Sequence, residues 1–581
     1  MNGFFKFLLF ARIRFSLAGR GGVYFYAVLA GMLSAAIALA FQFATRLILE
    51  TLTGADGAGT VSSFLQIPPW RRIFSLAAGG AAAGGILLFA AKRIRKSPTP
   101  YMEAVSIGNG YIPVRANLLR SAAAIVTIGS GASIGREGPL VQTAAVFASM
   151  AGRRLNMSTP RLRLLVACSA AGAMAAVFHA PMAGALFVCE IVIGIMSMDM
   201  LAPLLVASCA SYLTICAVGN PSPLYEISGA YLEINAQTAL LSALLGAAAS
   251  LLANLWLACL AKCRRLFNRR AELLPLRLAV AGVAVGAIAA YYPEVAGNGA
   301  HIIRGLVSMN FSLGDVSAVL ALKIFSVAIF FGMGAVGGVL TPSLTIGGVF
   351  GFIFAQLLAL AGAPLGTEEI IGFSLLGMAA FFTTAAAAPL TSLMLVLEFT
   401  MAGRMIFPLI IGVLVSHAVS RLARAKSMYA AEAAGGVKSA FNKPLKDVKV
   451  GDLFRKSDNT VAPTTLFRSV AKIFLKNPDF AVYVVSRSNR YLGGILRGDV
   501  LAFARSGALS ENVIADDIMR SDIPTLSPDT GIIDGVKAFS ENPAAEEMPM
   551  VEADGKFYGI VNRGDIFMAF AEISARSKFG G

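Results

Sequence analysis

The chain has 581 residues, of which 56% are hydrophobic and only 14% charged, with a net charge of +16. A soluble fold carries roughly 25% charged residues, so a soluble protein of this size is excluded. The basic excess reads as cytoplasmic loop charge on a membrane protein rather than a nucleic-acid surface. Three histidines, and six cysteines without metal-ligand spacing, offer no nucleophile–base pair and no metal site, so the chain is not read as an enzyme.

Along the chain, Lys6, Arg12, Arg14 and Arg20 are spread rather than grouped before an apolar core. They predict a basic amphipathic helix on a membrane surface and no cleavable signal. Val23–Ala40 and Ile73–Ala91 come next, and later Leu240–Leu260 and Ile406–Val419. Several of these approach the roughly 20 residues that span a hydrocarbon core. Leu201–Ala207 and Met378–Thr384 are shorter and read as partial helices. Basic clusters at Arg153/Arg154/Arg161/Arg163, Lys262/Arg264/Arg265/Arg269/Arg270 and Arg421/Arg424/Lys426 mark cytoplasmic loops.

Composition changes near residue 430. Ala430–Ser439, with Gly435 and Gly436, reads as a linker, and no later apolar run is long enough to span. The expected division is a membrane domain over 1–430, a linker over 431–445 and a soluble domain over 446–581.

Each part contains an internal repeat. GSGASIGREGPLVQTAA (Gly129–Ala145) aligns without gaps on GMGAVGGVLTPSLTIGG (Gly332–Gly348), and APMAGALFVCE (Ala180–Glu190) aligns on APLTSLMLVLE (Ala388–Glu398). Paired Gly/Pro-broken segments in two halves are the mark of a transporter with its site between repeats. In the soluble part, Pro463–Pro478 aligns on Pro528–Pro543, and the copies close in GGILRGDV (Gly493–Val500) and GIVNRGDI (Gly559–Ile566). Each copy reads strand–helix–strand–strand–helix, over about 446–510 and 511–575, and two such units should pack together.

The segment richest in chemistry is Gly135-Arg136-Glu137-Gly138-Pro139. An ionisable Glu at membrane depth is costly and marks function. Gly135 and Gly138 admit backbone close to a ligand, Pro139 suits a first helical turn, and Leu140–Met150 continues a helix. Its free N–H groups and dipole make an anion site. Gly338-Val339-Leu340-Thr341-Pro342 repeats the device without a charge. Two such termini hold a partly dehydrated anion without a fixed cation, and Glu137 can occupy the same place. Close helix packing explains Gly129, Gly131, Gly332 and Gly334 equally well, but not Glu137.

GSGASIGREGP resembles the signature of the CLC chloride channels and chloride/proton exchangers, and GGVLTPSL resembles that family's second signature. The C-terminal repeats resemble a pair of CBS domains, so the resemblance runs from about Val23 to the end of the chain. It implies an all-α polytopic membrane domain of two inverted halves followed by α+β tandem CBS domains. It also implies a homodimer with one anion path per subunit, Glu137 as the gate, and chloride ligands among Arg136, Gly138, Val339, Leu340 and Tyr429. A chloride-binding Ser is expected at Ser97 in Lys96-Ser97-Pro98-Thr99-Pro100, capping a helix from Tyr101. Gly108-Asn109-Gly110-Tyr111-Ile112-Pro113 imitates that signature but lies too close to Glu137. The sequence departs from the family pattern in three places: the flanking glycines around Ser97 are missing, Leu340 stands where an aromatic is usual, and Ile191, which follows Phe187-Val188-Cys189-Glu190, stands where exchangers carry an internal proton-transfer Glu.

Asp499 and Asp565 match the ribose-binding Asp of nucleotide-binding CBS pairs, although Leu496 and Asn562 replace the hydroxyl residue. The alternative is that both Asp residues cap helices. The sequence therefore points to selective chloride transport gated by Glu137, channel-like and dependent on voltage or pH. Chloride/proton antiport, transport of nitrate or fluoride, or a non-transporting membrane sensor are the alternatives. No cofactor is required, and an adenine nucleotide at the CBS pair is optional. The expected setting is a bacterial inner membrane with both termini cytoplasmic.

Overall fold

The computed structural model describes residues 20–55, 59–94, 98–106, 108–155, 157, 159–194, 196, 198–219, 225, 227, 230–267, 271–309, 311–423, 427–429, 448–453, 459–476, 481–505, 513–542, 545, 547–563, 565–567 and 569–570. The expected N-terminal surface helix, the Ala430–Ser439 linker and Ser97 lie outside them, Arg20 apart.

The first half contains α1 (Arg20–Thr53), α2 (Thr60–Leu65), α3 (Pro69–Arg93), α4 (Tyr101–Ser106), α5 (Val114–Gly129), α6 (Glu137–Arg154), α7 (Thr159–Phe178), α8 (Pro181–Phe187) and α9 (Met198–Val218). The second contains α10 (Ala236–Phe267), α11 (Leu274–Tyr291), α12 (Ala300–Val307), α13 (Leu313–Gly332), α14 (Leu340–Leu360), α15 (Thr367–Ala386), α16 (Pro389–Thr400) and α17 (Ile406–Leu422). Among the described residues, ten helices are long and apolar enough to cross a membrane, which makes this an integral membrane protein. The halves face each other through corresponding helices: α3 packs along α11, and α8 along α16.

The duplication is visible in the backbone. Gly131 and Gly334, aligned in the repeat, both adopt φ +101° where α5 and α13 end, a conformation open mainly to glycine. His179 (φ 54°) and Ala387 (φ 58°) are left-handed just before α8 and α16. The Ala180 and Ala388 that follow share nearly the same angles, φ −129° and −134° with ψ 82° and 80°.

Two expectations are corrected. Leu201–Ala207 and Met378–Thr384 are not partial helices; they lie inside α9 and α15, of 21 and 20 residues. Pro203 does not stop α9. In α15 every residue from Ile370 to Ala386 is buried against other helices, and the helix is still apolar enough over its length to cross a membrane. Among the described residues the short helices of the membrane part are instead α2, α4, α8, α12 and α16. The helix expected over Leu140–Met150 starts earlier and ends later, at Glu137 and Arg154. Its first turn holds Pro139, whose missing N–H costs nothing there.

The soluble part follows the expected order. In the first unit β1 (Thr460–Val461), α18 (Phe467–Lys476), β2 (Val482–Val485), β3 (Tyr491–Ile495) and α19 (Arg497–Arg505) form a sheet of order β1-β2-β3. In the second, α20 (Ile532–Glu541), β4 (Glu547–Val551) and β5 (Phe557–Asn562) recur, and a parallel bridge from Leu526 to Met550 stands for the first strand. The units meet through Tyr483, Tyr491 and Phe557, with Tyr483 5.5 Å from Phe557 between ring centroids. Hydrogen bonds from Tyr491 N to Gly555 O and from Phe557 N to Asn489 O close the seam.

Candidate anion-binding site

The loops entering α6 and α14 meet as an antiparallel bridge. Gly135 N–H donates to Gly338 O at 2.7 Å, and Gly338 N–H to Gly135 O at 2.8 Å. This pair sets the N-termini of two helices from opposite halves against each other, each with free N–H groups. Glu137 opens α6, is 3% exposed, and reaches across the bridge. Its Oε1 accepts from the N–H of Leu340 at 2.8 Å and of Thr341 at 3.2 Å, and its Oε2 accepts from Thr341 Oγ1 at 3.1 Å. A carboxylate from one half is thus seated on the helix terminus of the other. Backbone donors and a helix dipole at that place suit any small anion.

The glycines are explained by this carboxylate. A Cβ on Gly135 would lie 2.2 Å from Glu137 Oε2, and one on Gly338 2.3 Å from Oε1. Gly138 faces the backbone of Gly337 and Gly338 at ordinary contact distance. Arg136 stands beside Glu137 with Tyr225 and Arg304 near it, and its Nε has no hydrogen-bond partner among the described residues. Val339 is the N-cap of α14 and Leu340 is fully buried.

Tyr429 packs edge-on against Phe187, with ring centroids 5.7 Å apart, and borders the same core as Leu340. Its turn is pinned to the end of α15 by Met428 N–H to Ala385 O and Ser427 Oγ to Ala386 O. The structure therefore brings Arg136, Glu137, Gly138, Val339 and Leu340 together, with Tyr429 in the adjoining core. Asn109 accepts from Tyr111 N–H within its own turn, and that turn is tied to Ser149 of α6 through Gly110 O and Ile112 N–H.

Sequence reasoning missed Thr341 as a partner of Glu137. The signal was present, because the repeat alignment places Leu340 and Thr341 opposite Glu137 and Gly138. It also missed an exchange between Glu190 and Glu398. Glu190 accepts from Leu390 N–H, Thr391 N–H and Thr391 Oγ1 at the start of α16. Glu398 accepts from Met182 N–H and Ala183 N–H at the start of α8. Each carboxylate thus serves the first turn of the other half's short helix. Ile191 lies in the π-helical turn Val188–Ile193 and packs half-buried against the core.

In the soluble part, Asp499 Oδ2 accepts from Leu496 N–H at 2.8 Å, a cap of α19. Arg520 is 4.0 Å from Asp499 and hydrogen-bonds Asp522, whose carboxyl it holds below the usual carboxylate range. Asp565 lies 3.6 Å from Arg163 at the start of α7. Arg163 also donates to Val105 O and Ser106 O at the end of α4, so Asp565 touches the membrane part rather than capping a helix alone.

Residues 79–421 match the family described as voltage gated chloride channel, and residues 515–572 match the CBS domain. A ClcB-like chloride channel protein of Ralstonia nicotianae is 35% identical over 408 residues, covering 69% of this chain and 94% of that protein. The voltage-gated ClC-type chloride channel ClcB of Escherichia coli is 31% identical over 408 residues, covering 69% and 96%. Among solved structures, a slow cyanobacterial Cl−/H+ antiporter superposes with TM-score 0.62 at 19% identity, covering 70% of this chain and 96% of the other. A eukaryotic CLC transporter superposes with TM-score 0.62 at 17% identity and covers 94% and 97%. The expected fold is borne out along both parts, and the chain belongs to the voltage-gated chloride channel family, CLC, with a CBS domain in its soluble part.

Proposed function

We propose that this protein conducts chloride across a membrane through a path that Glu137 closes. The carrying observation is that the Glu137 carboxylate sits on the N–H groups of Leu340 and Thr341, where a chloride ion would otherwise bind. An anion that is part of the chain competes with the permeant one for the same donors. Protonation removes its charge and frees the place, which makes conduction depend on pH. Arg136, Gly138, Val339, Leu340 and Tyr429 are the anion ligands of this reading, and Ser97 is a further one.

The ClcB relatives are named as channels. The cyanobacterial neighbour is described as an antiporter, and proton-coupled exchange is the second reading. Two observations favour the channel: Ile191 carries no titratable group, and Glu190 is engaged with the start of α16. The working unit of this reading is a homodimer in a bacterial inner membrane with both termini cytoplasmic, and an adenine nucleotide at the CBS pair is an optional ligand. Reversal potentials of the purified protein in liposomes, with chloride and proton gradients set independently, test it. A potential that follows chloride alone supports a channel, and one that shifts with the proton gradient identifies an exchanger.

A further inference from the structure

The three hydrogen bonds that Leu340 and Thr341 give the Glu137 carboxylate are not alike. Two come from backbone N–H groups that any residues at positions 340 and 341 would supply, and both fall on Oε1. The third comes from a side chain, Thr341 Oγ1, and falls on Oε2. Thr341 and Glu137 are each 3% exposed, so bulk water does not replace this contact readily. Thr341 is the second residue of α14, and no carbonyl of its own helix precedes it to attract the hydroxyl. The Gly338 carbonyl nearby already accepts from Gly135. In the rotamer that Thr341 adopts, the hydroxyl points at Glu137.

A hydroxyl differs from an N–H in a second way: it donates and accepts. The N–H groups of Leu340 and Thr341 both point at Oε1, whereas Oε2 faces the Thr341 hydroxyl, which can adapt to a proton there. Thr341 Oγ1 donates to the ionised group and can accept from the protonated one. Resting on the reading of Glu137 as the gate, we propose that Thr341 is a positioning residue, a latch whose hydroxyl holds Glu137 in the closed place and sets how steeply pH opens the path. The same hydroxyl is free to donate to a halide once the carboxylate has left.

The test uses the full-length protein in liposomes and reads chloride flux at acid and alkaline pH. Thr341→Val keeps the β-branch and removes the hydroxyl. It is expected to raise flux at alkaline pH by about tenfold, the scale of a hydrogen bond to a charged group, and so to flatten the acid-to-alkaline ratio. Thr341→Ser is expected to restore the parent ratio. A parent-like ratio in Thr341→Val overturns the latch. So does a Val effect that persists undiminished in a Glu137→Ala background, because the hydroxyl would then act on the pore and not on the gate. Thr341→Ala provides a second hydroxyl-free variant should Val at this position prevent folding, which size-exclusion chromatography would reveal. If Glu137→Ala alone keeps full pH dependence, the gate assignment fails, and that result is distinct from failure of the latch.

Discussion

Glu190 and Glu398 exchange helix termini: the carboxylate at the end of each half's short helix receives the first N–H groups of the other's. Each bond set therefore fastens one half to the other. Removing either carboxylate strands helix N–H groups, at a cost of about 1–3 kcal/mol. Glu190→Ala and Glu398→Ala are expected to lower thermal stability in detergent by similar amounts, and nearly additively when combined. A loss confined to one of them would show that the exchange is not equivalent at its two ends.

Glu137→Ala is expected to leave chloride flux intact or faster and to remove its dependence on pH. Gly135→Ala is expected to do much the same without touching the carboxylate chemically, because its Cβ would meet the far end of the Glu137 side chain at 2.2 Å. Flux assays of both variants across pH decide it. A Gly135→Ala protein with parent-like pH dependence would show that Glu137 finds another closed position.

A chloride gradient is expected to drive little or no uphill proton movement. Glu190 is held on the start of α16 while its neighbour Ile191 packs against the core in the same π-helical turn, so Glu190 does not substitute for a group whose direction belongs to Ile191. Ile191→Glu is expected to increase proton movement, read by a pH electrode on proteoliposomes. Strong proton pumping by the parent protein, abolished by Glu190→Gln, would make Glu190 the inner proton stop.

Anomalous scattering from bromide-soaked crystals is expected to place an ion near Ser97 and Tyr429. A peak beside Asn109 would mean that the Gly108–Pro113 turn carries the missing signature.

Much of this was legible because duplication writes each constraint twice. Gly131 and Gly334 stood out as aligned glycines, and both prove to be left-handed. Glu137 stood out because a carboxylate among apolar residues needs a reason. The lengths of α9 and α15 were not legible, because Pro203 and Gly377 read as helix breaks, and both helices run through them. Thr341 was passed over because the partner of its hydroxyl, Glu137, lies far away in sequence. The Arg163–Asp565 pair was hidden in the same way, since a lone arginine in a basic cluster reads as loop charge.

The Gly135–Gly338 bridge also bears on how a doubled chain comes to have one working centre. If the two copies had stayed identical, each would carry a carboxylate at positions 137 and 340, and two like charges would crowd one place. Instead one copy carries Glu137 and Gly138, and the other carries Leu340 and Thr341. One half became the plug and the other the seat. The plug and the seat meet through the Thr341 hydroxyl and through the room that Gly135 and Gly338 leave for the carboxylate, so residue identity on one side matters to the other. A change at position 341 is therefore best judged by what it does to the residue at 137.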